Sequence, residues 1–174
     1  MPLYSFEGRA PRIHPTAFIA PTATIIGDVT VEENASVWYN AVVRGDFSPI
    51  VIRRGANVQD GAVLHVTPAQ GVEIGPGATV AHLCLVHGAD VGEEALVGNS
   101  STILDGARIG ARAMVGAGSL VTPGTDIPAG MLALGVPCKV KGPLEGTPAE
   151  RWVKVNPAGY QALAQRHRLG VKPV

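Results

Sequence analysis

The sequence has few aromatic residues, few cysteines and no surplus of charge of either sign. Aromatic residues make up 5% of its 174 residues, and 14 Lys and Arg balance 14 Asp and Glu. A net charge of zero argues against a nucleic-acid binder and against attachment to anionic membranes, because both need a basic surface. The two cysteines, Cys84 and Cys138, are too few for a disulfide framework.

Long hydrophobic runs are also missing. No run approaches the roughly 18 apolar residues that a transmembrane helix needs. The opening stretch, MPLYSFEGRAPRI, lacks the apolar segment of a secretion signal. We therefore expect no membrane span and a cytoplasmic location.

What the sequence does contain is a six-residue period, which is best sought before any other pattern. In most repeats a branched apolar anchor is followed, four positions later, by a small residue such as Ala23, Ala35 or Ala41. The anchors are Ile19, Ile25, Val31, Val37, Val43, Ile52, Val58, Leu64, Ile74, Val80, Val86, Val91, Val97, Ile103, Ile109, Val115, Val121 and Ile127.

The period predicts short strands that turn a corner every six residues, three to a coil, with the anchor and the small residue inside. Eighteen anchors then give six coils, stacked at the strand spacing of about 4.8 Å. A β-sandwich is disfavoured, because strand alternation has a period of two. We predict an all-β fold, a left-handed parallel β-helix of hexapeptide repeats with a C-terminal α-helix.

The repeat stops after Lys141, which divides the chain into a β-helix domain over 1–142 and a helical tail over 143–174 that packs on it. Thr147–Glu150 has the pattern of a capping box with Pro at the first helical position. Asn156-Pro157 predicts the start of a second helical stretch, which reaches about Arg168.

Three histidines cluster where the period is interrupted. His65 follows anchor Leu64 and His87 follows anchor Val86, and these two anchors are one full coil apart. Since an anchor points inward, its neighbour points outward. We therefore expect His65 and His87 side by side on one face, in adjacent coils.

His82 lies two places after Val80, which puts it near a corner and on another face. A threefold assembly would bring that corner against the histidine face of a neighbouring subunit. Three histidines with an open fourth position are typical of catalytic zinc, which lowers the pKa of its water to about 7. Co²⁺ and Fe²⁺ accept the same ligands. The alternative is that all three are ordinary surface side chains.

The remaining candidates for metal ligation fall outside this pattern. His14 and His167 are expected to be ordinary surface or helix residues. Cys84 occupies the small inward position of its repeat, so we expect a core thiol and not a ligand.

At these residues the chain resembles the γ-class carbonic anhydrase family, in its shorter bacterial branch, over roughly residues 12–142. The resemblance implies a homotrimer with interfacial zinc that hydrates CO₂ to bicarbonate. The segments that carry it are Gly27–Thr30, Ala41–Asp46, Asn57–Asp60, Leu64-His65, Ala81-His82, Val86–Gly88, Val115–Val121 and Gly135–Val140.

The resemblance also implies roles for six further residues. Gln59 would orient the metal-bound hydroxide or CO₂, and Arg44 would pair with Asp60 across the interface. Asp46 would support that network, with Asn57 close by in the same motif. Tyr160 matches a tyrosine of the C-terminal helix that reaches the site. A purely structural ion network is the alternative for Arg44, Asp46 and Asp60.

Two alternatives to a carbonic anhydrase stay open. The same repeat occurs in hexapeptide acyltransferases and related acyl-CoA enzymes, which generally use one histidine as a general base. The scaffold could also belong to a non-catalytic binding or assembly subunit. The prototype of the resembled family has a glutamate where this chain has Phe47, which leaves the route for proton transfer open.

Overall fold

The structure is a computed structural model that describes residues 2–174. It contains twenty short strands and one helix. The strands are β1 (Leu3–Tyr4), β2 (Arg12–Ile13), β3 (Phe18–Ile19), β4 (Thr24–Val31), β5 (Ser36–Val37), β6 (Val42–Ile52), β7 (Asn57–Val58), β8 (Val63–His65), β9 (Val72–Ile74), β10 (Thr79–Val80), β11 (Leu85–His87), β12 (Asp90–Val91), β13 (Leu96–Val97), β14 (Thr102–Ile103), β15 (Arg108–Ile109), β16 (Met114–Val115), β17 (Leu120–Val121), β18 (Asp126–Ile127), β19 (Met131–Leu134) and β20 (Lys139–Pro143), and the helix is α1 (Glu150–Gly170).

The strands form three parallel faces of a left-handed β-helix, which confirms the predicted fold. The first face stacks β1, the start of β4, the start of β6, β8, β11, β14 and β17. The second face stacks β2, the ends of β4 and β6, β9, β12, β15 and β18, and the third stacks β3, β5, β7, β10, β13, β16 and β19, with β20 antiparallel at its end.

The β-helix has about seven turns, so the prediction of six coils was wrong by one. The period missed a first coil, because β1 and β2 are separated by an irregular stretch. It also missed the last inward position of the third face, because that position is occupied by Ala133 and not by a branched residue. The eighteen predicted anchors all line the interior and are almost fully buried.

Two strands, β4 and β6, continue around a corner and join the first face to the second. At that corner Gly27 has a positive φ of 78°, and a Cβ there would collide with the backbone oxygen of Gly45. Glycine is therefore required at Gly27 by both conformation and space. Asp46, a predicted site residue, directly follows Gly45 in β6.

The C-terminal segment is one continuous helix, so the prediction of a second helix starting at Asn156-Pro157 was wrong. Pro157 lies inside α1. A stripe formed by Val153, Tyr160 and Ala164 packs on the β-helix, and this burial outweighs the one backbone hydrogen bond that proline removes.

The capping box was also wrong. Ala149 occupies the N-cap without a side-chain hydrogen bond. The Thr147 hydroxyl donates to the Leu144 carbonyl, and the Glu150 carboxylate accepts from the backbone N–H of Gly146. Among residues 2–174, no helix combines the length and apolar character needed to cross a membrane.

Candidate metal centre

The two histidines of the first face lie side by side. The parallel register pairs His65 with His87 and, one coil earlier, Arg44 with His65. The ring centroids of the two histidines are 5.1 Å apart, and His87 Nε2 is 3.1 Å from His65 Nδ1. The structure therefore confirms that the hexad phase places both rings outward on one face in adjacent coils.

A carboxylate flanks each of these rings on the nitrogen that faces away from the pair. Asp46 Oδ1 is 3.1 Å from His65 Nε2, and the same carboxylate pairs with Arg44. Asp105 contacts His87 Nδ1. Burial opposes ionisation of Asp46, but the charge of Arg44 and the hydrogen bonds at the carboxylate outweigh it and lower its pKa. We call Arg44, Asp46, His65, His87 and Asp105 the paired-histidine half-site.

The third histidine lies on a different part of the molecule. His82 precedes Leu83, which has a positive φ of 58° at the corner after β10. Its Nδ1 is 3.0 Å from Asp60 Oδ2, and its Nε2 is 3.3 Å from the hydroxyl of Tyr160 on α1. Burial and the negative charge of Asp60 raise the pKa of Tyr160, so the phenol stays protonated and can donate. We call Asp60, His82 and Tyr160 the single-histidine half-site.

Two buried amides support this second half-site. Gln59 donates from Nε2 to Asn57 Oδ1 at 2.9 Å, and Asn57 donates to the Thr79 hydroxyl at 2.9 Å. Gln59 also lines a groove of about 380 Å³ with His82 and Tyr160. The hydrogen bond to Asn57 fixes the orientation of the Gln59 amide beside the groove.

Within one chain the two half-sites do not meet. In the part of the chain that the structure describes, no three His, Cys, Asp or Glu side chains are arranged to hold a metal ion. Arg44 pairs with Asp46, and Asp60 faces His82. The expected Arg44–Asp60 pair across an interface therefore stays a prediction.

The donor chemistry of the paired-histidine half-site fits a divalent metal. Two nitrogen ligands of one tetrahedral zinc, each about 2.0–2.1 Å from the ion, lie about 3.3 Å apart. The facing nitrogens of His65 and His87 are separated by 3.1 Å. A carboxylate on the second nitrogen of each ring is the usual environment of a metal-bound imidazole. The residues thus suit Zn²⁺, and Co²⁺ or Fe²⁺ equally.

Comparison with known proteins bears on what this arrangement belongs to. No family model matches the chain. A carbonic anhydrase of Geobacillus kaustophilus is 48% identical to it over 138 residues, which cover 79% of this chain and 76% of that protein. The chain belongs to the γ-class carbonic anhydrase family. The predicted resemblance is thereby confirmed.

Other relatives of this carbonic anhydrase family member carry different names. The carnitine operon protein CaiE of Escherichia coli O157:H7 is 39% identical over 105 residues, covering 60% of this chain and 54% of that protein, so the match spans about half of the relative. A solved Bacillus cereus protein named after the acetyltransferases has a TM-score of 0.92 at 39% identity, covering 95% and 96% of the two chains. A hexapeptide transferase family protein of Anaplasma phagocytophilum has a TM-score of 0.88 at 36% identity, covering 94% and 96%.

Asp105 was missed by sequence reasoning, which followed the γ-class carbonic anhydrase motifs. It lies in the turn after β14, one coil beyond His87. The available signal was its position in the period. The turn after β14 stacks on the turn after β11, and Asp105 in that turn therefore lies beside His87. That the turn would aim a carboxylate at the ring could not be read from the period.

Two further residues can now be placed against their predictions. Cys84 is buried and its thiol contacts the Gly98 carbonyl at 3.1 Å. Burial raises its pKa to about 11, and its position confirms the predicted core thiol. His167 lies on α1 as expected. Its ring packs on Trp38, with the ring centroids 4.9 Å apart, and its Nδ1 is 3.0 Å from the Tyr39 hydroxyl. It is therefore a docking residue of the helix.

Proposed function

We propose that this protein catalyses the reversible hydration of CO₂ to bicarbonate at a divalent metal site shared between subunits of a homotrimer. His65 and His87 of one subunit would hold the metal together with His82 of the next. The observation that carries the proposal is the pairing of His65 Nδ1 with His87 Nε2 at 3.1 Å. The 48% identity to a named carbonic anhydrase supports the choice of reaction.

The need for a second subunit follows from the separation of the half-sites. Two histidines on one face provide only two ligands, and catalytic zinc sites use three protein ligands. His82 lies at a corner with 42% of its side chain exposed, so a neighbouring copy can approach the ring. Closed cyclic symmetry lets each subunit give a pair to one neighbour and a single histidine to the other.

A divalent metal held by His65, His87 and the neighbour's His82 would supply Lewis acidity for the activation of water. The side chains of this chain would do the rest. Asp46, Asp60 and Asp105 orient the three imidazoles, and the Gln59 amide, held by Asn57, provides a fixed polar group beside His82 for the substrate. In the single chain the Tyr160 hydroxyl donates to the lone pair of His82 Nε2, and it would have to release that nitrogen for His82 to bind the metal.

Acyl transfer is the second candidate function. Two solved proteins with nearly the same fold are named after transferases. In this chain the groove of about 380 Å³ beside His82 is larger than CO₂ requires, and Asp60 orients His82 as it would orient a general base. This reaction needs His82 but neither His65 nor His87.

Mixed trimers test the shared site directly. We would co-express His65→Ala and His82→Ala chains with different tags and isolate the trimers. Each variant alone lacks one ligand at every site. With random assembly about three quarters of the trimers are mixed, and each has one intact interface in three. We expect about one quarter of wild-type metal content and CO₂ hydration rate, measured by stopped flow.

The matched control is the mixture of His65→Ala with His87→Ala, which should recover nothing because both changes fall in the same half-site. Equal recovery in the two mixtures, or a metal-free wild type that hydrates CO₂, would contradict the proposal. Full hydration activity of the His65→Ala trimer, with loss only in His82→Ala, would favour a general base at His82. A wild type that binds metal without turnover would indicate an assembly subunit.

A further inference from the structure

Asp105 is fixed in place by backbone contacts between two consecutive turns of the β-helix. The Gly106 N–H donates to the Gly88 carbonyl at 2.7 Å, and the Gly88 N–H donates to the His65 carbonyl at 2.9 Å. Gly88 has a positive φ of 52°, and a Cβ there would lie 3.0 Å from Asp105 Oδ1. The turn after β14 is thus held directly above the turn after His87, with its carboxylate on the His87 ring.

The contact between Asp105 and His87 completes a pattern. Each histidine of the proposed site has a carboxylate on one ring nitrogen: Asp46 for His65, Asp60 for His82 and Asp105 for His87. A neutral imidazole has a single N–H, and an ionised carboxylate can only accept it. The carboxylate therefore decides which nitrogen keeps its lone pair.

For His87 this selection has a specific result. With Nδ1–H donated to Asp105, the lone pair of Nε2 is left facing His65 Nδ1 at 3.1 Å. Without Asp105 the His87 N–H could move to Nε2 and donate to His65, which would close the space between the two rings. The carboxylate thus keeps a nitrogen acceptor directed into the pair.

We propose that Asp105 is a positioning residue that selects the Nδ1–H tautomer of His87 and so prepares its Nε2 to bind the shared metal. The part of the inference that concerns metal binding rests on the proposed function, whereas the choice of tautomer does not. It deepens the site by adding a residue outside the motifs that the family resemblance supplied.

The first experiment measures the tautomer without any metal. Metal-free trimers labelled with ¹⁵N-histidine would be examined by long-range ¹H–¹⁵N NMR at about pH 8.5, where an ordinary imidazole is neutral. We expect the Nδ1–H form for His87 in the wild type and a shift towards Nε2–H in Asp105→Ala. An unchanged His87 tautomer in Asp105→Ala would overturn the inference, whatever the enzyme does.

The second experiment measures Zn²⁺ affinity by competition with a chelator, with the absorption spectrum of the Co²⁺ form as a check of ligand geometry. Loss of the carboxylate should weaken affinity about 10- to 100-fold, with unchanged trimer mass and thermal midpoint. Asp105→Glu should restore part of the affinity, and Asp126→Asn, an exposed aspartate on the second face, should have none of these effects.

The outcomes separate the two proposals. Wild-type affinity in Asp105→Ala would overturn the positioning role even if the trimer hydrates CO₂. An altered tautomer and weaker metal binding in an enzyme without hydratase activity would support the positioning role and contradict the proposed reaction.

Discussion

The two half-sites are built by different means. In the paired-histidine half-site, His65 and His87 extend from consecutive rungs of one sheet, and their side chains are only 17% and 29% exposed. In the single-histidine half-site, His82 projects from a corner with 42% of its side chain exposed, and a helix from far along the chain supplies Tyr160. One half is fixed by strand register and the other by docking of α1.

This difference predicts that the halves can be damaged separately. Backbone hydrogen bonds between β8 and β11 hold the two strands that carry His65 and His87. Each coil of a β-helix contacts mainly its neighbouring coils. The helix is held instead by an aromatic cluster in which Trp38 contacts Phe18, Tyr160 and His167 at centroid distances of 5.2, 5.4 and 4.9 Å. The single-histidine half-site should therefore open first under mild destabilisation.

The largest effect is expected for Trp38→Ala. Trp38 is 2% exposed, and its indole N–H donates to the Ser36 hydroxyl at 3.0 Å. Its removal should cost about 3–5 kcal/mol and should raise hydrogen exchange throughout α1. The His65–His87 pair should keep its NMR signals. Trp152→Ala serves as the control, because Trp152 is the exposed tryptophan on α1 itself. Equal perturbation of both half-sites would refute their independence.

Gly27→Ala should damage the opposite half. The new Cβ meets the Gly45 backbone at a positive φ, so the strand that carries Asp46 must shift. We expect a loss of about 2–4 kcal/mol in the free energy of unfolding and weaker metal binding. Gly118→Ala has a similar φ of 67° but open space around it, and should cost only about 1–2 kcal/mol. If both variants unfold at the same denaturant concentration, backbone collision is not the cause.

The sequence predicted the first half-site better than the second, for a physical reason. A period of six fixes which residues share a face and which coils are adjacent, so the pairing of His65 with His87 followed from counting. The docking of α1 depends on contacts such as His167 with Tyr39, which join residues 128 positions apart. No local pattern encodes such contacts, and Pro157 even suggested a helix start where burial keeps the helix continuous.

A smaller effect is expected for Tyr160→Phe, which removes the hydroxyl from His82 and leaves the ring packed on Trp38. The loss of one neutral hydrogen bond corresponds to about 0.5–1.5 kcal/mol. Because the hydroxyl competes with the metal for the lone pair of His82 Nε2, metal affinity should rise by about tenfold or less, with stability nearly unchanged. Tyr4→Phe, on an exposed tyrosine, is the matched control. A loss of affinity would mean that the phenol supports the metal site and does not compete for His82.

The smallest effect concerns the second face, which carries neither half-site. There Arg53 joins Glu32 and Glu73 through hydrogen bonds of 2.9–3.0 Å. Burial opposes ionisation of Glu32, but the hydrogen bonds from Arg53 and from the backbone of Arg54 outweigh it and lower its pKa. Because the folded pKa lies below the unfolded one, this contribution is present above about pH 5 and is lost as the pH falls through the folded value.

Glu32→Gln should accordingly lower stability by less than about 1 kcal/mol near neutral pH, and the difference from wild type should vanish once the pH falls below the folded pKa of Glu32. Glu33→Gln, its exposed neighbour, should change nothing at any pH. Thermal melts across this range would measure both. Metal affinity should be the same in all three proteins, because strand order places Arg53 around a corner from the histidine pair. A change in metal affinity would show that the faces of this β-helix are coupled, and that register alone does not hold the pair.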